Sequence, residues 1–137
     1  MNHATDLSGA ENVTSYRMGF TVGEHSARHM RRILGMFLDR WGLSASAADA
    51  GLALTELVAN VVRHVPGRRC AVLILRRPGG LRVEVADGCP ALPGIPAADG
   101  DPYAEGGRGL LLVEAVTDRW GADPGPEGKT VWFECDA

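Results

Sequence analysis

Residues 53–64 read ALTELVANVVRH, and this stretch decides the fold. Its apolar residues recur every three or four positions, which predicts a largely buried helix that ends before Pro66-Gly67. Glu56, Asn60 and His64 are four positions apart and therefore share one side of that helix. Such a polar row either faces water or serves a binding site, and the helix alone does not decide between the two interpretations.

The elements on either side of this helix follow from the same periodicities. A strand over 16–22 precedes an amphipathic helix from Glu24 to Gly42, and Ser44 or Ser46 is placed to cap the second helix. Alternation of apolar residues with Arg82 and Glu84 predicts a sheet that is covered on one face only. The other predicted elements are strands over 70–76, 81–87, 118–122 and 129–135, a long loop over 88–107 and a third helix over 109–117. This order predicts an α+β, two-layer α/β sandwich, with a mainly antiparallel sheet and three helices on one face.

Two further motifs are candidates for binding chemistry. Asp87 ends an apolar strand, where a carboxylate can accept hydrogen bonds from an amino group, although Asp-Gly is also an ordinary turn signal. The run Gly106-Gly107-Arg108-Gly109-Leu110 precedes the third helix. Its glycines let the backbone approach phosphate oxygens, and a helix N-terminus offers free N–H groups, although such clusters also occur in common loops. The sequence has neither a P-loop nor a strand-linked G-x-G-x-x-G.

The order of these motifs resembles the GHKL ATPases, the family of gyrase, Hsp-type chaperones, histidine kinases and MutL-like repair ATPases. The matching segments are ALTELVANVVRH (53–64), VEVADG (83–88), GGRGLLLVEAV (106–116) and GKTVWFE (128–134). Each segment is weak evidence alone, but four in this order within one small domain are fairly specific. The resemblance implies the GHKL (Bergerat) ATP-binding fold for residues 15–137, after a flexible polar tail at 1–14.

The resemblance also implies a role for each motif residue, with ATP and Mg²⁺ as cofactors. Glu56 corresponds to the residue that positions or deprotonates the attacking nucleophile, and Asn60 corresponds to the magnesium ligand. Asp87 resembles the aspartate that binds the adenine amino group, with Thr130 helping nearby. Asn60 and Asp87 are then expected to line opposite ends of one nucleotide cavity. Further nucleotide contacts are expected from Arg63, His64, Gly88, Gly107, Arg108, Gly109 and Leu110.

One departure from the family pattern concerns the segment after Asp87. The family has Asp-x-Gly-x-Gly, whereas this chain has Asp87-Gly88-Cys89-Pro90-Ala91, so that Gly88 comes one position early. The side chains of Cys89 and Ala91 are expected to narrow the pocket mouth and to stiffen the lid. Nucleotide affinity is therefore expected to be low, and the fold can persist without catalysis.

Composition limits the functional classes. A net charge of -3 and a pI of about 5.8 argue against a broad nucleic-acid-binding face. The three cysteines have neither a metal-site spacing nor an even disulfide set, which favours a reducing compartment. We expect no apolar stretch long enough to span a membrane and no signal peptide, and hence a cytoplasmic protein.

The size of the chain, its two opening helices and the ending GKTVWFE resemble the sporulation and stress-response anti-sigma factors of bacteria. Those proteins bind a sigma factor and use ATP to phosphorylate a serine on an antagonist protein. The resemblance therefore implies these two protein partners and allows a homodimer through the first helix. Two alternatives stay open. One is a non-catalytic module in which ATP orders the lid for a partner, and the other is an interaction domain that has lost ATP.

Overall fold

The computed structural model describes residues 14–89 and 107–137. In these residues the chain forms five strands and three α-helices, and the element boundaries lie within two residues of those predicted. The elements are β1 (Ser15–Thr21), α1 (Ser26–Arg40), α2 (Ala47–His64), β2 (Arg69–Arg77), β3 (Gly80–Asp87), α3 (Gly107–Val116), β4 (Arg119–Pro124) and β5 (Lys129–Asp136). The predicted tail apart from Thr14, and nearly all of the predicted long loop, lie outside the described residues.

The five strands form one antiparallel sheet in the order β1-β2-β3-β5-β4. The last strand, β5, therefore lies between β3 and β4 rather than at an edge. Helix α2 contacts α1, α3, β3 and β5, which places it at the centre of the helical layer. The predicted α+β, two-layer architecture is confirmed.

One hydrophobic core joins the two layers. On β3 and β5 the buried positions alternate with partly exposed ones, so that Val83, Val85 and Phe133 face the helices. From the helical layer, Leu54 and Leu57 of α2 are almost completely buried against them. Apolar residues thus recur at every second position in the strands and at every third or fourth position in α2, and together they form the core.

The opposite face of the sheet carries a ladder of charges. Arg82 on β3 pairs with Glu84 at 2.8 Å and with Glu134 on β5 at 3.0 Å. Arg119 on β4 pairs with the same Glu134 at 2.9 Å, and its hydrogen bond is the main cause that lowers the pKa of that carboxyl. The Arg82 guanidinium also stacks 4.2 Å from the centroid of the Trp132 ring. The predicted polar outer face is therefore present and internally paired.

The start of α2 differs from the prediction in one respect. Ser46 does stand at the N-cap position, but its side chain makes no capping hydrogen bond. Residues Ser44–Ser46 already form a short 3-10 helix, and Ser46 has φ of -89° and ψ of -3°. A capping side chain needs the extended backbone of a true N-cap, which this helical approach removes.

The hydropathy of α2 corrects another prediction. By length and composition alone, Ser44–His64 is long and apolar enough to cross a membrane, so the expectation that no stretch reaches this length was wrong. A buried core helix of a soluble protein can have the same length and apolar composition. Here eight residues of α2 are buried, and the helix packs on the sheet and on both other helices. Its apolar character is thus explained by its central place in the fold.

Candidate functional site

The polar row on α2 does not lie uniformly in solvent. His64 is exposed and Glu56 is partly buried, whereas Asn60 is only 6% exposed among apolar neighbours. A buried carboxamide is costly unless its polar atoms are satisfied. The interpretation that the row simply faces water therefore fails for Asn60, and it holds for His64.

The two polar atoms of the Asn60 side chain have different surroundings. Its Oδ1 accepts a hydrogen bond of 2.7 Å from the Arg63 guanidinium. Its Nδ2 is buried and has no hydrogen-bond partner among the described residues. Leaving such a donor unsatisfied costs about 1–3 kcal/mol, so this atom is suited to a ligand acceptor such as a phosphate oxygen or a water molecule.

Asp87 is the second predicted site residue, and its side chain is 3% exposed at the end of β3. Its Oδ1 accepts hydrogen bonds from the backbone N–H of Cys89 at 2.8 Å and from Lys129 Nζ at 3.0 Å. Its Oδ2 also lies 3.0 Å from Lys129 Nζ. The carboxylate is thus held by a buried ion pair with the first residue of β5.

Lys129 is itself 5% exposed, and its ammonium donates a further hydrogen bond of 3.1 Å to the Cys89 carbonyl oxygen. Antiparallel register places Lys129 directly opposite Asp87. Since successive side chains alternate between faces, Thr130 lies on the other face of the sheet, opposite Ala86. The structure therefore brings Lys129, and not Thr130, to the Asp87 carboxylate.

A neighbouring thiol stays neutral beside this pair. Cys70 on β2 is the cross-strand partner of Asp87. Burial, and then the negative charge of Asp87, raise the pKa of the Cys70 thiol to about 11. Around neutral pH this thiol is therefore uncharged.

Two glycines, Gly88 and Gly128, lie next to the backbone of Asp87, and the space around them differs. A Cβ atom on Gly128 would lie 1.8 Å from the Asp87 carbonyl oxygen, so only glycine allows β5 to approach β3 this closely. At Gly88, which is exposed, the nearest atom to such a Cβ would be the Glu127 carbonyl oxygen at 3.8 Å. The close approach thus depends on Gly128, whereas a Cβ atom at Gly88 would make only an ordinary van der Waals contact.

The glycine-rich motif forms the start of α3. Gly107 is the first residue of this helix and Gly109 the third, so their N–H groups belong to its first turn. Leu110 is 3% exposed and packs in the hydrophobic core, which leaves its backbone as the part suited to a ligand. Gly106 and the Arg108 side chain lie outside the described residues. Phosphate contacts by Gly107, Arg108, Gly109 and Leu110 stay a prediction.

Asn60 and Asp87 both belong to the interlayer region between the helices and the sheet. Asn60 is buried on α2, Asp87 takes the inward register of β3, and α2 contacts β3. That these two side chains line opposite ends of one cavity stays a prediction.

The residue that sequence reasoning missed is Lys129. The sequence carried a signal for it, because Lys129, Val131, Phe133 and Cys135 occupy alternate positions of one strand. A charged residue in an otherwise apolar row implies a buried partner. Lys129 is also the only lysine in the 137 residues.

Comparisons with known proteins give a consistent fold. The family model described as the histidine kinase-like ATPase domain matches residues 20–135. The RsbU and RsbW domains of a Mycobacterium tuberculosis protein are 20% identical with a TM-score of 0.65, over 90% of this chain and 32% of that chain. The structure of the SiaB–SiaC complex from Pseudomonas aeruginosa gives 14% identity and a TM-score of 0.61, over 96% of this chain and 95% of that chain.

The chain therefore spans about a third of the Mycobacterium chain, and at these identities the likeness concerns the fold. A search of curated proteins found no significant match.

The site residues fit a nucleotide differently at its two ends. On α2, the unsatisfied Nδ2 of Asn60 is suited to a phosphate oxygen, and its Oδ1 is suited to Mg²⁺ once Arg63 releases that atom, with Glu56 one turn before it. At the base end, the carboxylate expected to receive the adenine amino group is already occupied by Lys129.

Proposed function

Since the chain belongs to the histidine kinase-like ATPase domain family, we propose that it is an ATP-binding regulatory protein of the anti-sigma factor kind. In this proposal it binds a sigma factor and phosphorylates a serine on an anti-sigma factor antagonist. The fold likeness to an RsbW domain and to SiaB, which was solved in complex with SiaC, supports a regulatory role with protein partners. The observation that carries the proposal is the buried Asn60 one turn after Glu56 on α2, whose unsatisfied Nδ2 is suited to a phosphate oxygen.

Each residue has a defined task in the proposed reaction. Asn60 would hold Mg²⁺ through its amide oxygen after Arg63 releases that atom, and the N–H groups at the start of α3 would bind the phosphates. Bound Mg-ATP supplies the transferable phosphoryl group and the charge neutralisation. Glu56 accepts the proton of the partner's serine hydroxyl, which contributes about 10²–10⁴-fold as a general base.

The proposal is tested with Glu56→Ala, labelled Mg-ATP and a serine-containing antagonist protein. The variant should bind nucleotide like the wild type and lose phosphoryl transfer by about 10²-fold or more. Glu114→Ala removes an exposed glutamate from the last turn of α3 and serves as the matched control with unchanged transfer. Wild-type phosphorylation by Glu56→Ala would remove Glu56 from the mechanism.

A second candidate function is a non-catalytic module in which nucleotide alone changes the affinity for a partner. The Asp87–Lys129 ion pair favours it, because an occupied base end lowers nucleotide affinity. Calorimetry with Mg-ATP and Mg-ADP, followed by the transfer assay, separates the candidates. Binding without transfer to any antagonist supports the module, and absence of binding leaves a pure interaction domain.

The proposed setting is the cytoplasm, with protein partners, no direct nucleic-acid contact and no membrane. A homodimer through α1 belongs to the same proposal, since Met36 on that helix is 48% exposed. Residues 15–137 are proposed as the folded domain after a flexible tail at 1–14. Sedimentation analysis of the wild type and of Met36→Lys tests the dimer.

A further inference from the structure

In the proposed nucleotide site, Asp87 marks the end that would receive the adenine base. The ammonium group of Lys129 binds this carboxylate in the absence of a nucleotide. The Lys129 ammonium has three N–H donors, and three acceptors lie within reach: both Asp87 carboxylate oxygens at 3.0 Å and the Cys89 carbonyl oxygen at 3.1 Å. Both charged side chains are at least 95% buried. Two hydrogen bonds and the ion pair therefore hold the ammonium within the protein.

The position of Lys129 in the strand shows that this arrangement depends on Asp87. The next inward residues of β5, Val131 and Phe133, are apolar and buried in the core. An ammonium at such a position loses its hydration and needs a charged partner close by. Of the described carboxylates, Asp87 lies directly opposite Lys129 and provides that partner.

The same carboxylate is the group assigned to the amino group of adenine. An aromatic amine is a neutral donor, whereas the ammonium adds the attraction of a full positive charge to its hydrogen bond with the carboxylate. Adenine can therefore take its place on Asp87 only after Lys129 has moved to another partner. The free energy needed to open the ion pair therefore makes the free energy of nucleotide binding less favourable.

We infer that Lys129 is a tethered competitor at the base end, which holds Asp87 in the empty protein and must be displaced for an adenine nucleotide to bind. This inference rests on the nucleotide site of the proposed function. It makes Lys129 the residue that sets the nucleotide affinity of this chain. It also links nucleotide binding to release of the Cys89 carbonyl at the end of β3.

Calorimetric titration with Mg-ATP tests the competition in three proteins. Lys129→Thr should bind Mg-ATP at least about tenfold more tightly than the wild type, because the carboxylate is free for the base. Arg17→Thr removes the same charge from an exposed position on β1 and should bind like the wild type. Equal or weaker binding by Lys129→Thr, with a measurable wild-type affinity, overturns the competition and leaves the nucleotide site intact. Absence of binding in the wild type and in folded Lys129→Thr refutes both the inference and the proposed function.

A second measurement avoids any dependence on the folding of the variant. Because Lys129 is the only lysine, a pulse of acetic anhydride followed by peptide mass spectrometry reports on this one ε-amino group. In the wild type, saturating Mg-ATP should raise the acetylated fraction of Lys129 above that with Mg²⁺ alone, since displacement frees the amine. An unchanged or lower fraction would show that Lys129 stays on Asp87 and would overturn the inference.

Discussion

Replacing Gly128 by alanine should destabilise the fold through a single backbone collision. The added Cβ would lie 1.8 Å from the Asp87 carbonyl oxygen and 2.8 Å from the Gly88 Cα atom. Real Cβ contacts are essentially never shorter than 3.0 Å, so strand β5 or the end of β3 must move by about 1.2 Å. Both obstructing atoms are backbone, and neither can leave by a rotamer change.

The size of the effect follows from what must move. Overpacking costs about 1–3 kcal/mol, and a backbone obstacle places Gly128→Ala near the upper end, at about 3 kcal/mol. For a domain of this length that corresponds to a melting temperature lower by about 10 °C. The displacement also moves Asp87 relative to Lys129, because Gly128 directly precedes this lysine.

Thermal and urea unfolding, followed by circular dichroism, measure the change. Gly125→Ala is the matched control in the same turn, since its Cβ would meet only the Gly128 carbonyl oxygen at an ordinary 3.7 Å. The control should stay within about 0.5 kcal/mol of the wild type. If Gly128→Ala melts within about 2 °C of Gly125→Ala, the close approach of β5 to Asp87 is refuted.

Three further predictions concern stability and reactivity. Phe133→Ala removes a fully buried ring and should cost about 3–5 kcal/mol in urea unfolding with an unchanged m-value; a cost below about 1 kcal/mol would contradict its place in the core. Chiefly through hydrogen bonding from Arg119, the pKa of Glu134 is lowered from 4.5, so its stabilisation is complete above about pH 4.5 and disappears as the pH falls through the folded-state pKa. Glu134→Gln should therefore lose less stability than the wild type between about pH 5 and pH 3, and equal losses would contradict this. Burial raises the pKa of Cys70 and Cys135 to about 11, so both thiols should react with a disulfide reagent at about pH 8 much faster in urea than in the native protein; equal rates would refute their burial.

The fold could be predicted from the sequence because each element has a clear hydrophobic period. The spacing of apolar residues in α2 and their alternation in β3 each identify the side of the element that is buried. The antiparallel pairing of neighbouring strands follows from the short turns that join them. The capping role of Ser46 could not be predicted, since it depends on the 3-10 turn that precedes it. Hydropathy alone likewise could not show whether α2 is a core helix or a membrane-spanning helix.

The candidate site could be predicted only in part. The spacing in α2 placed Glu56, Asn60 and His64 on one side, but their burial depends on how α2 packs, and only Asn60 lies deep in the structure. For the partner of Asp87, motif matching selected Thr130, whereas strand register brings Lys129 to this carboxylate. A shift of one residue reverses the face of a strand, so a pattern match without register cannot settle such a choice.

The place of β5 in the sheet has a consequence for biosynthesis. Strand β4 reaches the other strands only through β5, and β3 gains its second neighbour only when β5 arrives. A nascent chain that ends before Lys129 thus has an incomplete sheet with an open central edge, so the domain can close only after residues 129–136 have left the ribosome. Until then, the growing polypeptide exposes the unpaired backbone N–H and C=O groups on one side of β3.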